Sequence, residues 1–114
     1  MEFSKEANKN LIESKIGEII KKFMPYILEN NLISENEIKN LENPIYSKDT
    51  FNVNYPILKR YDKSIPKKDN IKLNGGPRYY SKPIKYNSTE FFLTNHWYDY
   101  YKENFIDWMK RKIK

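Results

Sequence analysis

The stretch from Arg78 to Trp108, RYYSKPIKYNSTEFFLTNHWYDYYKENFIDW, constrains the fold most, because it specifies its own pairing. Two apolar-rich runs flank Asn87-Ser88, a short polar break of the kind that closes a β-hairpin. With those two residues in the turn, Tyr86 faces Thr89, Lys85 faces Glu90 and Ile84 faces Phe91. That register puts Tyr80, Ile84, Tyr86, Phe91 and Leu93 on one face and sets Lys85 against Glu90 on the other. Thr94-Asn95 follow at once as helix N-caps, and Trp97, Tyr101, Phe105 and Trp108 recur behind them at helical spacing. The expectation is a hairpin running straight into an amphipathic helix whose aromatic side chains pack beneath it.

The preceding chain reads as helical. Ser4 is placed to cap a first helix, and Leu11, Ile12, Ile16, Ile19, Ile20, Phe23, Met24, Ile27 and Leu28 repeat in threes and fours as a core stripe. Pro25 predicts a kink or break, and Asn30-Asn31 the end of that helix. Ser34 and Glu37 form a capping box for a second helix, with Ile33 and Ile38 placed for a hydrophobic staple. Pro44 limits it to about Glu42. Ser47 suggests the cap of a short third helix, against which the alternation Phe51-Val53-Tyr55 argues for a strand. The helix is the favoured reading, with a further helical turn from Pro56. Residues 62–77, polar, lysine-rich and ending in Gly75-Gly76-Pro77, read as an exposed, mobile loop. At 114 residues the whole is one α+β domain: a helical part over 4–60, a basic connector over 61–77, and the hairpin and last helix over 78–114.

Charge is the strongest functional signal. The chain carries +6 overall. Between Lys59 and Lys85 there are nine basic residues (Lys59, Arg60, Lys63, Lys67, Lys68, Lys72, Arg78, Lys82, Lys85) against Asp62 and Asp69, a net of +7. The remainder is therefore −1, whereas a bias in codon usage would have spread the lysines. Lys110, Arg111, Lys112 and Lys114 suit the negative end of the last helix.

Catalysis has little support. Without cysteine there is no thiolate nucleophile or Cys-based zinc site, and the single histidine, His96, reads as a cap, packing or contact residue. Asp99, Glu103 and Asp107 recur every four residues as a solvated acidic face, with cation binding the lesser reading. Gly75-Gly76 lacks the spacing and following helix of a phosphate loop. No apolar run has the length of a membrane helix or of a signal-peptide core, so the expectation is a cytoplasmic protein of a bacterium or phage, with no cofactor, no metal and no membrane partner.

Three helical segments followed by a two-stranded hairpin resemble a winged helix-turn-helix domain. The resemblance implies that Glu35–Leu41 is the supporting helix. Lys48, Asp49, Asn52 and Asn54 then lie on or near the helix that reads the major groove, and Lys82 and Lys85 on the wing that touches the DNA backbone. The reading segment carries fewer basic residues, and the helix after the hairpin is larger, than that family requires. FFLTNHWYDYYKENFIDWMKRK is also similar to C-terminal tails of bacterial restriction-related proteins. DNA is the leading partner, with Lys48, Asn52, Lys67, Lys68, Lys72, Arg78, Tyr80, Lys82 and Lys85 as candidate contacts. Two alternatives use the same Lys–Tyr interleaving. Lysines neutralise phosphates while Tyr79, Tyr80 or Tyr86 stacks on the bases of a single strand. Or the tyrosines form a hot spot through which a phage or mobile-element inhibitor or adaptor grips a host nuclease or defence protein.

Overall fold

The computed structural model describes residues 9 and 13–113; the expected cap Ser4, the stripe residues Leu11 and Ile12, and Lys114 lie outside the described residues. Helix α1 (Ile16–Glu29) follows Lys15, which is extended. Its first N–H, that of Ile16, donates to Asp99 Oδ1 at 2.6 Å, so a carboxylate 83 residues away serves as its cap. Pro25 sits inside α1 without ending it. Proline costs a helix interior about 3 kcal/mol. Ile20, Met24, Ile27 and Leu28 are fully buried on both sides of it, and each such side chain contributes about 1.5–3 kcal/mol, so burial outweighs the missing hydrogen bond. The helix ends as Asn30-Asn31 predicts. Asn31 takes φ 52°, its N–H donates to the Leu28 carbonyl, and the Leu32 N–H reaches back to Ile27, the two bonds of a Schellman motif.

Helix α2 (Glu35–Leu41) is capped by Ser34, whose Oγ accepts from the Glu37 N–H at 3.1 Å. The return half of the expected box is absent, because the Glu37 carboxylate turns into the core instead. Helix α3 (Pro44–Phe51) starts three residues before the expected Ser47. Asn43 is its cap, accepting from the Ile45 N–H at 2.8 Å, with Pro44 in the first helical position. Ser47 is buried within the helix, and its hydroxyl accepts from the Ile57 N–H at 3.0 Å. No further turn forms at Pro56. The chain instead enters strand β1 (Leu58–Arg60), too short to show an alternating pattern.

The connector is built rather than loose. It holds a single helical turn, α4 (Lys67–Asn70), and a ribbon of β2 (Lys72–Leu73) and β3 (Gly76–Pro77) closed by Asn74 and Gly75, both at positive φ. Its centre is Asn70, fully buried. The Asn70 side chain accepts from the Asp62 N–H at 2.7 Å and donates to the carbonyls of Asp62 and Pro66. Lys59 Nζ donates to the Asn70 carbonyl at 2.7 Å and the Lys72 carbonyl at 3.1 Å, tying the connector to β1.

Strands β4 (Ile84–Tyr86) and β5 (Thr89–Leu93) pair in the expected register: Ile84 with Phe91, Lys85 with Glu90, Tyr86 with Thr89. β1 adds to the other edge of β5, giving the order β1-β5-β4, all antiparallel. Ile84, Tyr86, Phe91 and Leu93 are buried, and α1 packs against this part of the sheet. Phe92, on the opposite face, is fully buried too, because the connector folds over it and Tyr61 packs on its ring at 4.7 Å. Upstream of β4 the pairing resumes at Tyr79 with Thr94. Four residues separate the paired positions Tyr79 and Ile84, and two separate Phe91 and Thr94, so Ser81–Lys82 bulge out of the sheet.

The last helix starts later than expected. Thr94 is no cap: its hydroxyl donates to the Arg78 carbonyl at 2.7 Å. Residues 95–98 are extended or irregular, a 3₁₀ turn spans Asp99–Tyr101, and α5 runs over Lys102–Lys112. Trp97, before the helix, and Phe105 and Trp108 of α5 gather about Phe51 of α3, in the same core cluster as Ile84, Tyr86, Phe91 and Leu93 of the hairpin. Trp97, Phe105 and Trp108 lie 5.6, 6.2 and 5.6 Å from the Phe51 ring. Tyr101 is outside this group and packs on Tyr100. Among the described residues the domain is α+β, five α-helices with a small antiparallel sheet, and no helix is long and apolar enough to cross a membrane.

Candidate nucleic-acid interface

Strand alternation gives the sheet an outer face of Lys85, Glu90, Phe92 and Lys59. Glu90 is its focus. Lys63 Nζ donates to Glu90 Oε1 at 2.7 Å. That hydrogen bond, opposed by partial burial and helped by the charges of Lys63, Lys85 and Lys67, holds the Glu90 carboxyl below its ordinary value. The strand register and the folded connector thus bring Lys85 and Lys67 together with Lys63 around one acid. Lys68 is exposed beside Lys67 on α4.

The other basic residues divide by partner. Lys59 is held by backbone carbonyls, Arg60 pairs with Glu42 at 3.2 Å, and Lys72 lies 3.8 Å from Asp69. Lys67, Lys68, Lys82 and Lys85 make no hydrogen bond or ion pair with the described residues and are exposed. Arg78 serves packing: its guanidinium lies 5.3 Å from the Tyr55 ring and close over Gly76, where an added Cβ would come within 3.1 Å of it. Tyr55 in turn meets His96, whose Nε2 is 2.7 Å from the Tyr98 hydroxyl. His96 is thus a packing residue.

Lys48 lies in α3 and Asn52 at its C-terminal cap, on other elements than the Glu90 cluster. Lys48 Nζ donates to Asn54 Oδ1 at 3.1 Å, and Asn52 ends the helix at φ 57°. Asp49 is exposed beside Lys48, so this part of the helix contributes no excess charge.

The tyrosines separate cleanly. Tyr79 is 2% exposed and donates to the Pro56 carbonyl at 2.8 Å, and burial raises its phenol pKa well above the ordinary value. Tyr86 is buried and donates to the Ile33 carbonyl. Neither is available to stack on a base or grip a partner. Tyr80 is half-buried and lines a groove of about 340 Å³ between α1 and the Ser81–Lys82 bulge. Lys82 lines the same groove, as does Lys21 of α1, whose ammonium lies 4.9 Å from the centre of the Tyr80 ring. Lys21 carries no signal in the sequence, since its relation to Tyr80 exists only once α1 packs on the sheet.

The fold therefore defines a small α+β domain with two basic surfaces, one around Glu90 and one at the groove. No family model, curated protein or solved structure matches the chain.

Proposed function

We propose that the protein binds nucleic acid, DNA foremost, by holding backbone phosphates with lysines of the connector and the hairpin. The observation that carries this reading is that Lys67, Lys68, Lys82 and Lys85 are exposed and form no salt bridge among the described residues, with three cations gathered about the single acid Glu90, within a segment of net charge +7. Each lysine that meets a phosphate releases a condensed counterion, so affinity falls steeply with salt.

In a winged-helix arrangement α2 supports, α3 reads and the β4–β5 hairpin is the wing. The order of α1, α2, α3 and the hairpin supports it. The insertion of β1 and the connector between α3 and the hairpin, and the neutral exposed pair Lys48 and Asp49, set it apart. Phosphate contacts then supply most of the affinity, and sequence discrimination is weak.

The second reading is a module that grips a host nuclease or defence protein, and it draws on apolar exposure. Ile45 on α3 is 70% exposed and Tyr100 88%. Anisotropy titration against random duplex and single-stranded DNA at two salt concentrations decides between the two. A dissociation constant that rises with salt is expected; no binding at low salt removes the nucleic-acid reading.

A further inference from the structure

We propose that the groove between α1 and the Ser81–Lys82 bulge receives one unstacked nucleobase of a single strand, with Lys21 and Lys82 meeting the phosphates beside it. This rests on the nucleic-acid reading and adds to it a strand preference and a site. The groove, about 340 Å³, falls in the range of roughly 300–1,000 Å³ for small-molecule sites. Pro25, Ile84 and Leu93 give it an apolar lining, and Tyr80 adds an aromatic ring. A cation stands on each wall, Lys21 on α1 and Lys82 on the bulge, and neither has an ion pair among the described residues.

A planar apolar body flanked by anions matches that layout. The Lys21 ammonium lies over the Tyr80 ring, so a phosphate that draws Lys21 aside uncovers that ring for the base next to it. The bulge adds recognition groups. Ser81 and Lys82 make no backbone hydrogen bond with the described residues, so their N–H and C=O groups are free to meet a base edge. Glu29, also in the lining, can accept from an exocyclic amine. Bases inside a duplex are stacked and cannot enter.

The test uses a 12-nucleotide single strand carrying 2-aminopurine at its centre, and the duplex of the same sequence. The expected result is tighter binding of the single strand, with the 2-aminopurine protected from acrylamide quenching. Tyr80→Leu should weaken the single strand at least about fivefold, the lower end for one stacked base, and leave the duplex unchanged. Lys82→Glu, at an exposed position, should weaken the single strand whether or not Tyr80→Leu folds. Equal affinity for both forms, with an unprotected 2-aminopurine and no effect of Lys82→Glu beyond its effect on duplex, would overturn the groove and leave phosphate binding standing. Failure of the wild type to bind either form would remove both.

Discussion

The indole of Trp108 on α5 donates to Oε2 of Glu37 on α2 at 2.7 Å, joining two helices 71 residues apart through a carboxylate that is only 5% exposed. Tyr46 of α3 donates to the same oxygen, Asn40 to the other at 3.1 Å, and Lys112 lies 3.7 Å away. One acid thus ties α2, α3 and α5 together. Burial pushes the Glu37 carboxyl up, but the hydrogen bonds from Tyr46, Trp108 and Asn40 and the Lys112 charge outweigh it, leaving the pKa below its ordinary 4.5. Burial, with the same contact, pushes the Tyr46 phenol up to about 12.

Glu37→Gln should therefore destabilise the domain by about 2–3 kcal/mol at pH 7, the scale for charge-assisted bonds lost in a buried site. The sign of the pH dependence follows from the lowered pKa. The contribution of the ionised carboxylate is full above the unfolded value near 4.5 and is lost as pH falls through the lower folded value. Urea melts from pH 7 to pH 3 should show the wild type and Glu37→Gln converging below pH 4.5. A constant gap would show that the charge is not what the helices share.

Phe105 is 1% exposed, stacked on Trp108 at 5.6 Å and set edge-on to Trp97 at 5.7 Å. Phe105→Ala should cost ~3–5 kcal/mol, the range for truncating a buried phenylalanine. Calorimetry or chemical denaturation reads it directly, and an unchanged midpoint would place the residue outside the core.

What the sequence made legible follows from whether the information was local. The β4–β5 register could be read because alternation, the Asn87-Ser88 turn and the Lys85–Glu90 pair all lie within eight residues. The Schellman end of α1 and the Ser34 cap are equally local. Glu37 looked like the far half of a capping box because nothing nearby announces Tyr46 or Trp108, and a tertiary partner captured its side chain. Asp99, read as part of a solvated acidic face, caps α1 for the same reason. In the candidate interface, the charge excess was visible as composition. Its division into lysines held by carbonyls or acids and lysines left free depends on how the connector folds over β5, and no short-range pattern encodes that.

Asn70 is the residue on which that folding depends. Asn70→Ala removes an acceptor for the Asp62 N–H and a donor to the carbonyls of Asp62 and Pro66, leaving partly buried groups unpaired. The expected cost is about 1–3 kcal/mol. The distinguishing readout is local: trypsin should cut faster after Lys67 or Lys68 in the variant while the helical part stays protected. Equal cleavage rates would mean that the connector is held by other contacts.

The functional proposal meets its sharpest test in the salt dependence of two lysines that the fold brings to one acid. Lys67 and Lys85 lie 18 residues apart, yet both act on Glu90. If both meet DNA phosphates, each contributes about −0.9 to the slope of log affinity against log salt. Lys67→Gln with Lys85→Gln should then flatten that slope by about two units and weaken all sequences alike. Asn52→Ala is the contrast. Lying at the end of α3, it should weaken a preferred sequence selectively if that helix enters the major groove, and leave the slope unchanged. An unaltered slope in the double variant, with DNA still bound, would move the phosphate contacts to the Lys21–Lys82 groove. A Glu90→Gln variant separates the two outcomes. Removing the acid should strengthen binding if phosphates meet the lysines around it, and do nothing if they bind at the groove.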